Sequence, residues 1–131
     1  MKRKFWRLGL LVFWAVVLMA GECNSANGGP KELLDTFFSS AIAQDYATTY
    51  TCYYAEYREK VSKEEYIQHR KEASVLQAYK IVSLKQEGNT AQAEVLLTFG
   101  PSERLKRKEP VTATVAEEMV KEGGSWKIKV W

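Results

Sequence analysis

The hydrophobic period of this chain changes once, near Ala73, and that change constrains the fold more than any other feature. Before it, apolar residues recur at helical spacing: Leu33, Leu34, Phe37, Phe38, Ala41 and Ile42 make one stripe. After it they alternate, with Ala91, Ala93, Val95, Leu97 and Phe99 on one side and Gln92, Glu94 and Thr98 on the other. Helices therefore precede strands. Such a chain buries both apolar sets by packing its helices on one face of an antiparallel sheet, an α+β arrangement.

The boundaries follow from local chemistry. Residues 30–43 read as an amphipathic helix, with Pro30 in its first turn and Glu32 and Asp35 near the positive end of its dipole. Asp45 is placed to cap a second helix running from Tyr46 to about Tyr57. Ser62 and Glu65 form a capping-box pair for a third, over residues 63–73. Strands are expected over residues 78–86, 91–99 and 111–122, with a last one from Trp126 to the end of the chain. Gly88-Asn89 and Gly123-Gly124 supply two tight hairpin turns, and Gly100-Pro101 opens a basic loop that reaches Pro110. The expectation is three N-terminal helices on a four-stranded antiparallel meander.

The first residues address location. Lys2, Arg3, Lys4 and Arg7 precede an apolar run of 14 residues from Leu8 to Gly21. This is the order of an export signal, and the run is short of the ~20 residues that span a bilayer comfortably. Leu18-Met19-Ala20-Gly21-Glu22-Cys23 resembles a bacterial lipobox, with Glu22 where a small residue is expected. Asn24 to Pro30 is small and polar, as a tether would be. The division expected is a signal peptide over 1–22, a tether over 23–30 and a folded domain over 31–131. The protein is expected outside the cytoplasm in the cell envelope, held by lipid on Cys23 or by the signal segment. Cleavage near Ala20 or Gly21 without lipidation is the alternative. A disulfide between Cys23 and Cys52 is permitted in an exported chain, and Cys52 as a buried small hydrophobe is the competing reading.

Charge narrows the partners. The net charge of +3 and pI near 8.8 belong to the leader. From Cys23 onward, 109 residues hold fifteen basic and fifteen acidic side chains. A neutral domain has no field for a phosphate backbone, so no nucleic-acid partner is expected. That length suits a single domain.

The residues Asp45-Tyr46-Ala47, the hairpin Glu87-Gly88-Asn89-Thr90-Ala91 and the ending Glu122-Gly123-Gly124-Ser125-Trp126-Lys127-Ile128 resemble the NTF2-like superfamily, in its small exported or lipoprotein branches of the DUF4878 type. The resemblance covers about residues 30–131. It implies a cone in which a curved sheet wraps a helix around an apolar pocket. That superfamily holds isomerases, dehydratases, binding proteins and dimerisation modules, so the fold does not select a function. Its isomerase-like members use strand aspartates with a tyrosine, and its dehydratase-like members use His/Asp pairs. This chain has two aspartates, Asp35 and Asp45, both in the helical half.

Tyr46, Tyr50, Tyr53 and Tyr57 are spaced i, i+4, i+7 and i+11 on the expected second helix. They are the candidate ligand-binding residues, as an aromatic wall with phenolic donors; the plainer reading is a core-facing stripe. Glu117 is the one acid that simple alternation places on the Val111, Ala113, Val115, Met119 face. Facing a pocket, it would be a candidate general base with a raised pKa; the favoured expectation is a bulge at Glu117-Glu118 that turns it to solvent with an ordinary carboxylate. His69 is read as a solvated helix position. With one His and no clustered acids, no metal site or cofactor is expected. Arg104, Lys106, Arg107 and Lys108 read as a solvated loop, with contact to anionic lipid as the alternative.

The function expected from these residues is non-enzymatic binding of a small apolar ligand or a protein partner. One alternative is an isomerase- or dehydratase-type enzyme acting on a small hydrophobic substrate with Glu117 and a tyrosine. Another is a homodimer through the outer sheet face, near Leu96 or Trp131. A pocket holding a carboxylate beside a phenol would favour the enzyme.

Overall fold

The computed structural model describes residues 28–130. Four helices, α1 (Pro30–Ile42), α2 (Tyr46–Thr51), α3 (Ala55–Lys60) and α4 (Lys63–Glu72), precede four strands, β1 (Leu76–Glu87), β2 (Thr90–Phe99), β3 (Val111–Glu122) and β4 (Ser125–Lys129). The strands form one antiparallel sheet in sequence order. The signal segment, Cys23, most of the tether and Trp131 lie outside the described residues.

Local chemistry explains most boundaries. At the start of α1 the Glu32 carboxylate accepts a hydrogen bond from the Gly29 N–H at 2.8 Å, with Pro30 in the first turn. Asp45 caps α2 by accepting from the Thr48 N–H, and Ser62 caps α4 by accepting from the Glu65 N–H. The Gly88-Asn89 turn has φ > 0 at Gly88, whereas both Gly123 and Gly124 have φ > 0. These are the signs of a type II′ and a type I′ hairpin turn respectively.

The expected second helix is two. It breaks at Cys52–Tyr54 because that segment runs beside the open edge of β4. The Ile128 N–H donates to the Cys52 carbonyl at 2.8 Å, and the Tyr54 N–H donates to the Ile128 carbonyl at 2.8 Å. Tyr53 thereby forms an isolated parallel bridge to Ile128. The remaining polar groups also find partners: Arg58 Nε donates to the Tyr53 carbonyl at 3.0 Å and the Arg58 N–H to the Tyr54 carbonyl at 3.3 Å. A continuous helix would leave the β4 edge unpaired here.

The core lies between α1 and the sheet. Leu33, Leu34, Phe38 and Ala41 of α1 meet Ala93, Val95 and Leu97 of β2, Met119 of β3, and Trp126 and Ile128 of β4, all buried. A second cluster of Tyr46, Tyr50 and Tyr66 joins α2 to α4. Ser40 and Thr49 hydroxyls, 2.6 Å apart and buried, tie α1 to α2. Register shifts at Leu76/Ala78 and Ile81/Ser83 interrupt β1, and irregularities of this kind bend a strand. In contrast, β2 and β3 pair without interruption from Thr90↔Val120 to Phe99↔Val111.

The basic loop is anchored by one of its own cations. Arg107 donates to the Gly100 carbonyl at 2.6 Å, to the Ser74 hydroxyl at 3.3 Å and to the Glu109 carbonyl at 3.2 Å. Arg104, Lys106 and Lys108 are exposed.

Trp126 is 3% exposed at the end of the sheet. Trp126→Ala is expected to destabilise the fold by about 3–5 kcal/mol, measured by denaturant unfolding. A change under about 1 kcal/mol would mean that the ring contributes little to the core.

Candidate functional site

The uninterrupted β2–β3 register decides where Glu117 points. Glu117 pairs with Ala93, whose side chain is buried on the inner face beside Val95 and Ala91. The expected bulge at Glu117-Glu118 is absent, so alternation holds and the carboxyl faces the helices, not solvent. The expectation of an ordinary carboxylate fails with it. Burial pushes the Glu117 pKa up to about 7. Among the described residues no hydrogen bond or ion pair reaches its oxygens.

Glu117 opens on a cavity of about 170 Å³ between α1, α4 and the sheet. Phe37, Phe38 and Ala41 form the α1 wall, Leu97 and Phe99 the β2 wall, and Leu76 closes one end. Tyr53, Tyr66 and Arg70 complete it. Tyr66 and Arg70 are one turn apart on α4, which places them on the same face. The aromatic rings brace one another: Phe37 meets Phe38 and Tyr53 edge-on with centroids 5.0 and 5.3 Å apart, and Tyr53 lies 5.4 Å from Tyr66.

Of the four expected tyrosines, Tyr53 alone lines this cavity. Tyr50 turns away and its hydroxyl reaches the Val61 carbonyl at 2.6 Å and the Arg58 carbonyl at 3.0 Å, closing the α3–α4 connection. Tyr46 is buried beneath Arg70, whose guanidinium carbon sits 5.6 Å from the ring centre. Tyr57 packs at a tilt against Tyr53 with centroids 4.4 Å apart and is half-buried. The break at residues 52–54 destroys the helical spacing that would have aligned all four.

The phenols here are donors, not acids. Burial first, then Tyr66, Tyr57 and Glu117 beside it, push Tyr53 far up; burial likewise raises Tyr66. Both stay neutral at any physiological pH. Cys52 is fully buried and disulfide-bonded. His69 is exposed on α4. Among the described residues no group of three or more His, Cys, Asp or Glu is placed to hold a metal ion.

Sequence reasoning missed Tyr66 and Arg70. Their i, i+4 spacing was a usable signal, but α4 is otherwise polar and offers no apolar stripe from which to orient it. Two larger depressions, of about 280 and 360 Å³, lie on the sheet around Lys85, Gln92 and Glu118, and the larger one also touches Glu117. Lys85, Gln92 and Glu118, which line both, are long side chains at the surface of the sheet. The inner cavity is smaller but combines an apolar wall with a single carboxyl, the composition of a ligand site.

No family model and no curated protein matches the sequence. Solved structures do match the fold. An SEC-C motif-containing protein of Rhodopseudomonas palustris aligns with 82% of this chain and 79% of its own, at 15% identity and TM-score 0.65. An NTF2-like protein of unknown function from Pseudomonas putida aligns with 75% of this chain and 78% of its own, at 14% identity and TM-score 0.52. A Campylobacter jejuni protein named as a candidate NTF2-like transpeptidase aligns over 79% of this chain and 100% of its own, at 14% identity and TM-score 0.50. At such identities the likeness concerns architecture alone. The chain folds as an α+β domain whose structural neighbours include NTF2-like proteins.

Proposed function

We propose that this protein is an exported cell-envelope protein, of the small DUF4878-type branch, that binds a small, apolar-bodied ligand in the cavity between α1, α4 and the sheet. The observation that carries this reading is the cavity itself, with aromatic walls and one unpartnered carboxyl. Its volume of about 170 Å³ is near that of an apolar cavity of ~150 Å³ that accepts benzene. The ligand body is therefore of single-ring size. Addition of toluene should shift the NMR signals of Phe37, Tyr53 and Phe99 together. Signals unmoved at saturating toluene would remove the binding reading.

A second reading is favoured by Glu117. A carboxyl that titrates near neutrality is suited to proton transfer, and the neutral Tyr53 phenol beside it is a donor. An isomerase- or dehydratase-type enzyme acting on a small hydrophobic substrate would use that pair. Carbon-13 titration of the Glu117 carboxyl should give a midpoint near 7. A midpoint near 4.5 would leave it unsuited to this chemistry and would withdraw the enzymatic reading.

The same shift predicts a stability effect. Glu117 keeps its proton in the folded state up to about pH 7, whereas the unfolded chain releases it near 4.5. Between those values the unfolded state binds fewer protons, so stability falls as pH rises. Glu117→Gln lacks this loss. Relative to wild type it should gain about 1–3 kcal/mol between pH 4.5 and 7.5 in denaturant unfolding. A constant difference across that window would contradict the buried carboxyl.

Export rests on Lys2 to Gly21, and the disulfide-bonded state of Cys52 supports it, since disulfides persist in oxidising compartments. Residues 1–30 fused to a reporter active only outside the cytoplasm should give signal; a silent reporter would end the localisation argument. Cys23 is the one other cysteine of the chain, and a sulfur that carries lipid is not available to a disulfide. Fatty-acid label lost in Cys23→Ala would identify the lipid anchor. A mass two hydrogens lower before reduction would identify the disulfide.

A further inference from the structure

Three features of the cavity act together. The first is the isolation of the Glu117 carboxyl. Arg70, the other charged residue on the lining, stacks over the Tyr46 ring, and among the described residues no ion pair joins it to Glu117, whose proton is held by burial. Among the described residues the Glu117 carboxyl thus has no ion-pair partner in the cavity. The second is the density of aromatic faces and edges: Phe37, Phe38, Tyr53, Tyr66 and Phe99 all line the same space. Ring faces attract cations through their quadrupole, and more strongly where water is excluded. The third is size, which limits the occupant to about one ring.

We propose that the cavity is a recognition site for a small organic ammonium, a primary or methylated amine on a body of ring size, with Glu117 as its counter-ion and the aromatic side chains as its walls. This rests on the binding reading above and names the chemical class of the ligand. A neutral ligand would leave Glu117 without a charge partner, and an anionic one would be repelled by it. An ammonium supplies the missing opposite charge and favours the ionised carboxyl. Arg70, on the same lining, opposes any cation that enters, so it acts against the ligand and is not its anchor.

Ammonium binding is then linked to one proton. The lining groups facing Glu117 are Tyr53, from the α2–α3 connection, and Tyr66 and Arg70, from α4; α1, β1 and β2 contribute no titratable side chain to the cavity. The two phenols stay neutral between pH 5 and 8, and Glu117 is the lining carboxyl that changes over that range.

The test compares benzylamine, benzyl alcohol and benzoate binding to the purified protein by calorimetry. At pH 8 benzylamine should bind at least tenfold more tightly than benzyl alcohol, and benzoate more weakly than either. Benzylamine affinity should fall about 100-fold between pH 8 and pH 5, with proton release on binding at the lower pH. Glu117→Gln should bind benzylamine and benzyl alcohol equally, and Arg70→Gln should not weaken benzylamine. A preference for benzoate would make Arg70 the anchor and overturn the proposal. Benzylamine affinity independent of pH, or a preference for it that persists in Glu117→Gln, would overturn it equally. If benzyl alcohol binds and benzylamine binds no better, this inference alone falls. If none of the three binds, the binding reading falls with it.

Discussion

Two backbone hydrogen bonds organise the helical half of this protein: Ile128 donating to Cys52, and Tyr54 donating back to Ile128. An edge strand has unpaired groups that need partners, and residues 52–54 provide them by leaving the helix. The Tyr54 hydroxyl and Lys127 reinforce the contact, donating to the Val130 carbonyl at 2.6 Å and the Thr51 carbonyl at 2.9 Å. The consequences spread outward. α3 begins at this break, Tyr50 closes the α3–α4 connection, and Tyr53 is turned toward the cavity. A helix continuing through residues 52–54 would give a different inner wall.

The other half of the site depends on the sheet. Irregular pairing in β1 and regular pairing between β2 and β3 have separate effects. Both interruptions in β1 lie on an edge strand, where an unpaired residue disturbs one neighbour. The central pair has none, and its alternation carries through to Glu117. An acid is thereby held among apolar side chains, where its ionised form is disfavoured. Natural folds usually avoid such a position or compensate for it. Here no internal cation does so among the described residues, and this local disadvantage gives the cavity its chemical character.

Much of this was legible along the chain. The stripe of α1, the Asp45 and Ser62 caps, both hairpin turns and the full extent of β3 follow from spacing within a few residues. Simple alternation places Glu117 on the inner face, and the bulge expected at Glu117-Glu118 would spare the acid an unfavourable unpaired burial. That argument weighs a side chain by itself. An uninterrupted strand pairing on either side outweighs it, because a bulge would shift every residue beyond it to the opposite face. Tyr46, Tyr50 and Tyr57 were legible as buried or packed aromatic residues, but not in their roles.

Element type, order and solvent-facing pattern are encoded locally, since dihedral preference, capping and apolar period act over one or two turns of chain. The break in the second helix, the separation of Tyr53 from its three neighbours in the stripe and the isolation of Glu117 arise in the folded molecule alone. They depend on hydrogen bonds and packing between segments far apart in the chain, as between Tyr54 and Val130, 76 positions away. No local spacing carries information about that distance. It becomes defined when the sheet closes over the helices and sets which groups lose water and which gain a partner.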